Sequence, residues 1–182
     1  MTEVRPAEPR DAPAIAALVQ EMHAFHAAAL PELFQPPEAT VMTPADVARL
    51  TARPGFLLLV AVQEGSVVGY AHAEVQEEPA TAYKRASALL HLHAMGVTAS
   101  RRGGGVGRAL LAAVREAAAA RGLAAVSLEV YAFNTAARAF YEREGFAPLR
   151  ARLEGPADPP APAAGQAPAA TTSSIPGHPS RL

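Results

Sequence analysis

With 182 residues, half of them apolar, the chain has room for one domain with a real hydrophobic core. A formal net charge of −1 gives no ground for expecting nucleic acid or an anionic membrane as partner. There is no cysteine, which excludes disulfides, thiolate metal sites and a covalent acyl-cysteine step. The opening residues, Met1 to Pro6, do not resemble a signal peptide, and the longest clearly apolar run, Phe56 to Val62, is too short to span a bilayer. A cytoplasmic protein is the expectation.

Thr2 to Pro6 reads as a short first strand. Asp11 followed by Pro13 starts a helix, with Ile15, Leu18, Val19 and Met22 at helical spacing, fading near Ala29. Residues 31–37 form a proline-rich loop carrying Leu33 and Phe34. Thr43 and Asp46 make a capping box for a second helix that ends before Pro54. Phe56 to Gln63 and Val67 to Gln76, joined at Glu64-Gly65-Ser66, read as a hairpin. Ala86 to Thr98 is the next strand and Gly105 to Arg121 the next helix, closed by Gly122. Ala124 to Tyr131 is a strand, Asn134 to Glu144 a helix stopped by Gly145, and Phe146 to Leu153 a last strand. The order β-α-α-β-β-β-α-β-α-β implies an α/β fold with a mixed central sheet flanked by helices. The folded domain is expected over residues 1–154. Residues 155–182, rich in proline, alanine and glycine, are expected to be a disordered tail, because they hold too little apolar surface to offset the entropy of ordering.

The segment with the most chemical content is the junction between the third helix and the strand before it. Gly103, Gly104, Gly105 and Gly107 lie within five positions, flanked by Arg101, Arg102 and Arg108. Glycines admit close approach of backbone to an anion, and a helix starting there aims free N–H groups and its positive dipole end at it. A Walker loop is excluded, because Arg108-Ala109 follows Gly107 where lysine and serine or threonine are required. The dinucleotide fingerprint G-x-G-x-x-G also fails: counted from Gly103 its third glycine would fall on Arg108, and from Gly105 on Leu110.

What fits is R-x-x-G-x-G, as Arg102, Gly105 and Gly107. This resembles the pyrophosphate-binding motif of the GNAT N-acetyltransferases. A second segment, Asn134 to Phe146, resembles that family's N-x-x-A-x-x-F-Y-x-x-x-G-F signature. The two stand in the family's order, separated by one helix and one strand, and the likeness extends over residues 2–153. It implies the GNAT (acyl-CoA N-acyltransferase) fold and acetyl-CoA as co-substrate. It also implies that the backbone of Arg102, Gly103, Gly104, Gly105, Val106, Gly107 and Arg108 holds the pyrophosphate. By the same resemblance, a bulged strand at Met95, Gly96 and Val97 would pair with the pantetheine arm, Asn134 would contact the cofactor, and Tyr141 would be the general acid that protonates the departing thiolate. Each has a plainer alternative: Met95, Val97 and Tyr141 as core packing, and Asn134 as a helix cap.

His91 and His93 alternate in their strand, so period two puts both imidazoles on one face. The pair is similar to the paired-histidine strand of arylalkylamine N-acetyltransferases, where it serves as base or proton relay. An imidazole with an ordinary pKa of ~6.5 accepts a proton near neutrality. Glu74 and Glu129 are rival bases. His23 and His26, one turn apart, have no evident third ligand and are read as surface or acceptor-pocket residues, with no metal expected.

Together these readings predict a single-domain N-acetyltransferase in which an amine attacks the thioester directly in a ternary complex. A small primary amine is the leading acceptor, with a protein or peptide amine second. A non-catalytic acyl-CoA-binding regulatory module is the alternative from another class. A homodimer is compatible with the resemblance, and nothing in the sequence decides it.

Overall fold

The computed structural model describes residues 1–155. They divide into a compact unit of Met1–Phe146 and the start of a second unit that begins at Ala147.

In the first unit, strand β1 (Glu3–Pro6) leads through a short 3-10 turn (Pro9–Asp11) into helix α1 (Ala12–Ala29), followed by α2 (Pro44–Thr51). Strands β2 (Phe56–Gln63), β3 (Ser66–Glu78) and β4 (Ser87–Val97) come next, then α3 (Val106–Ala120), β5 (Val126–Leu128) and α4 (Thr135–Arg143). The five strands form one sheet in the order β1-β2-β3-β4-β5. The first four are antiparallel to their neighbours and β5 is parallel to β4, which makes the sheet mixed as expected.

Both faces of the sheet are covered, and the alternation along each strand decides which side chain goes where. Leu59, Ala71, Leu90 and Leu92 point to one face and bury against Val106, Leu110, Leu111 and Val114 of α3. Leu58, Val60 and Tyr70 point to the other and pack on Ile15, Leu18 and Val47 of α1 and α2. Each such fully buried aliphatic side chain contributes about 1.5–3 kcal/mol of transfer free energy.

Several local expectations are refined. Asp11 does not cap α1 through its side chain. Its buried carboxylate instead takes a bidentate pair from Arg5 at 2.7 and 3.0 Å and the Glu8 amide at 2.8 Å, tying β1 to the start of α1. Thr43 and Asp46 do form the capping box of α2. Strand β5 is shorter than predicted, at three residues. The last strand predicted at Phe146 to Leu153 is not formed: residues 147–155 carry no helix or strand, and Leu149 and Leu153 are almost fully exposed. Pro148 supplies no N–H for a ladder, and side chains left in water do not reward extension. The predicted tail from 156 onward lies outside the described residues.

Candidate active site

The site begins with an irregularity in β4. Ala73 faces Leu92 across the β3–β4 ladder and His72 faces Ala94, so His93 is an extra residue in β4. The bulge was expected at Met95 to Val97 and stands two residues earlier. Its position coincides with the end of strand pairing on the other side. The β4–β5 register runs through Leu90↔Val126, His91↔Ser127 and Leu92↔Leu128 and then stops. A bulge bends and twists its strand. Beyond it, β4 continues through Met95, Gly96 and Val97 with β3 on one edge and no strand on the other among the described residues. One edge of backbone is therefore open to pair with an extended ligand. Gly96 has a second reason to be glycine, since a Cβ there would meet the buried Tyr70 ring at 2.8 Å. Met95 and Val97 pack against the α3-side core.

The glycine loop follows directly. Gly103 and Gly105 have φ of +78° and +82°, a region that L side chains enter only with strain, and Gly105 occupies the N-cap position of α3. A short 3-10 turn, Ala99–Arg101, precedes them. Among the described residues, the amides of Gly103, Gly104, Gly105, Val106, Gly107 and Arg108 have no backbone acceptor; the first bond of the helix runs from Ala109 to Gly105. Six consecutive donors at a positive dipole end suit a pyrophosphate. Val106 is buried, and Gly107 packs against Phe140, whose ring would stand in ordinary contact, 3.6 Å, with a Cβ.

The arginine side chains point elsewhere. Arg102 donates to the Val97 carbonyl at 3.0 Å and to Glu21 of α1 at 2.7 Å. Arg101 reaches Glu64 at 3.2 Å, and Arg108 reaches Glu144 at 2.9 Å. These contacts tie the three arginine side chains to neighbouring protein groups.

On the α1 side of the sheet the imidazoles converge. His91 and His93 have ring centroids 4.7 Å apart, which bears out their shared face. A third histidine, not picked out by the sequence reading, joins them: His72 lies 4.8 Å from His93 and stacks on Phe56 at 4.2 Å. Its signal was legible, because Tyr70, His72 and Glu74 alternate on one face of β3. His91 Nδ1 shares a hydrogen bond of 2.8 Å with Ser127 on β5. His93 Nε2 lies 3.6 Å from Glu74, which also pairs with Arg53 at 3.2 Å. Glu74 is thus a carboxylate beside His93, and Glu129, the residue after β5, is exposed. Burial pushes the His72 imidazole down to about 4, with His93, Arg53 and His91 adding to it, so His72 is neutral at ordinary pH. Its Nε2 is buried without a hydrogen-bond partner. It lines a small apolar cavity of about 80 Å³ beneath the site, with Met22, Met42 and Tyr70.

Asn134 caps α4, its Oδ1 accepting from the Ala137 amide at 3.1 Å. Tyr141 packs edge-on against Phe140 and Phe146, and burial pushes its phenol up to about 12. His23 and His26 each meet a backbone carbonyl: His23 Nε2 reaches that of Pro36 at 3.1 Å, and His26 Nδ1 donates to that of Met22 at 2.8 Å.

Residues 19–146, the stretch containing the bulged strand, the glycine loop and α4, match the sequence profile of the Acetyltransferase (GNAT) family. The chain belongs to that family. It is 35% identical over 119 residues to a mycothiol acetyltransferase of Salinispora tropica, a match covering 61% of this chain and 36% of that protein. The chain thus spans only about a third of that curated relative. A mutant of the BH1408 protein from Bacillus halodurans superposes with a TM-score of 0.81 at 25% identity, covering 85% of this chain and 98% of that one. An aminoglycoside N-acetyltransferase, AAC(6')-Iy, in a crystal structure with CoA, superposes with a TM-score of 0.67 at 18% identity, covering 86% and 94%. At that identity the second likeness speaks for the GNAT fold alone. No helix among the described residues is long and apolar enough to cross a membrane.

Proposed function

We propose that this GNAT chain transfers the acetyl group of acetyl-CoA to a primary amine by direct attack in a ternary complex. The observation that carries the reading is the coincidence, along one stretch of chain, of the β4 bulge, the opened β4–β5 edge and six unbonded amides at the start of α3. The amides of Gly103 to Arg108 hold the pyrophosphate. The open edge of β4 at Met95 to Val97 pairs with the pantetheine arm and offers donors to the thioester carbonyl oxygen. His93, flanked by Glu74 and His91, takes the proton from the attacking amine, and His91, bonded to Ser127, carries it outward. Tyr141 protonates the departing thiolate. Burial has weakened its phenol as an acid, yet the same surroundings raise the proton affinity of a thiolate formed beside it, so donor and acceptor move together. Asn134 keeps the helix start of α4 in place; its free amide nitrogen is available to the cofactor. The acceptor is a small amine.

The test is release of free thiol from acetyl-CoA across a panel of primary amines. Amine-dependent release supports the reading. Tight binding of acetyl-CoA with no release above buffer sinks it and favours a non-catalytic acyl-CoA-binding module. In the variant carrying His91→Gln and His93→Gln, kcat/KM on one amine should fall by about 100-fold. A folded, acetyl-CoA-binding double variant with the wild-type rate and pH profile would hand the proton to Glu74 or water.

A further inference from the structure

Arg53 lies in the turn between α2 and β2, outside every motif of the sequence, yet two lines of contact lead from it to His93. The first is electrostatic. Its Nη2 donates to Glu74 Oε1 at 3.2 Å, and the other oxygen of the same carboxylate, Oε2, lies 3.6 Å from His93 Nε2. The second is a stack of rings. The Arg53 guanidinium stands over Phe56, 5.7 Å from its centroid; Phe56 lies 4.2 Å from His72, and His72 lies 4.8 Å from His93. The turn holds the arginine backbone on both sides: its amide donates to the Leu50 carbonyl at 3.1 Å, and its carbonyl accepts from the Phe56 amide at 3.3 Å. Phe56 and Glu74 are cross-strand partners, so the register of β2 on β3 brings both contacts to one guanidinium.

A carboxylate shared in this way does not act on the imidazole with its full charge. Facing His93 alone, Glu74 would favour the imidazolium, the form that cannot accept a proton from an amine. Glu74 is the only carboxylate within ion-pair reach of His93 among the described residues. The other titratable groups against that ring are His72 of β3 and His91 of β4. Arg53 opposes the Glu74 charge from the other side of the carboxylate, and its own charge is among the causes that hold His72 neutral. With the Arg53 side chain 56% exposed, an ion pair of this kind adds little to stability. Its effect falls on the ring beside it.

We propose that Arg53 is a positioning residue: by engaging Glu74 it withholds that carboxylate's charge from His93 and so sets where the ring takes up a proton. Its bearing on the reaction rests on the reading of His93 as base, and two readouts keep the two apart. The first is the titration midpoint of the His93 ring, followed by NMR on the full chain, which needs no turnover. The second is the acid limb of kcat/KM for thiol release, with n-butylamine as acceptor for every variant so that the amine's own deprotonation cancels. Arg53→Gln should move both to higher pH by about 0.5–1 unit, because the carboxylate then acts on the imidazolium unopposed. Glu74→Gln should move both to lower pH. Arg53→Lys, which restores the charge, should return them to the wild-type position. A thermal shift with acetyl-CoA confirms that each variant folds and takes the cofactor. An NMR midpoint that Arg53→Gln leaves unchanged, or that Arg53→Lys does not restore, overturns the proposal and leaves acetyl transfer standing. A midpoint that moves while the limb of kcat/KM stays in place supports the hold of Arg53 on the ring and removes His93 as the base. Should n-butylamine not be turned over, the NMR midpoints decide the proposal by themselves.

Discussion

Tyr141 and His72 are both displaced from their ordinary proton affinities by burial, and they serve different ends. The Tyr141 phenol, raised to about 12, stays protonated throughout the working range, and in the proposed mechanism it is needed only as charge develops on sulfur. Tyr141→Phe should therefore lower kcat by roughly 10- to 100-fold with little change in acetyl-CoA affinity. Wild-type turnover, measured where chemistry limits the rate, would reduce this ring to its packing contacts with Phe140 and Phe146. The His72 imidazole is pushed down to about 4 from an ordinary 6.5, so as pH falls the unfolded chain binds this proton first. The fold is then fully stable with respect to His72 above about 6.5, loses stability as pH falls toward 4, and loses no more below it. Solvent screening of a ring that is only partly buried trims the effect to about 1–2 kcal/mol. His91, His93, Glu74 and Arg53 surround it, so the comparison must isolate the one ring. Urea midpoints of wild type and His72→Gln at pH 7.5 and 4.5 do so: the variant should lose less stability between the two pH values, and an identical loss would show that another group carries the acid sensitivity.

At the scale of elements, one strand and one helix start make the site. The β4 bulge at His93 coincides with the end of the β4–β5 pairing. The start of α3 depends on backbone geometry: a Cβ at Gly105 meets nothing within 4 Å, so the pressure for glycine there comes from φ +82° and, in the proposed function, from the pyrophosphate. Gly105→Val should strain the N-cap by about 1–2 kcal/mol and weaken acetyl-CoA binding at least ten-fold, as calorimetry would measure. Cofactor affinity equal to wild type in the folded variant would move the pyrophosphate elsewhere. The glycine motif at Arg102 to Gly107 was readable in the sequence because it is local. The bulge was placed two residues late, since an extra residue in a strand is defined by its partner strand and leaves no mark in an apolar alternation.

For the molecule as a whole, acetyl-CoA should raise the thermal midpoint in a concentration-dependent way, because it binds only the folded chain. A chain ended at Gly155 should show the same midpoint and the same shift. A lower midpoint for the shortened chain would mean that the segment beyond Gly155 contributes to the fold. The sequence by itself determined the order of elements, the glycine cradle and the paired histidines. Each of these is written within a few residues by hydrophobic period, turn chemistry or motif spacing. It also suggested a last strand at Phe146 to Leu153, because local alternation cannot report whether a sheet edge is there to receive it. Only the tertiary structure decided which distant residues meet. His72 joins His91 and His93 because β3 and β4 pair in one register, and Glu74 falls beside His93 for the same reason. Phe25, His26, Phe34, Tyr131 and Phe133 become one surface because α1 crosses the sheet and ends where β5 gives way to α4. Sequence spacing carries short-range geometry; contacts between segments a hundred residues apart are set by packing.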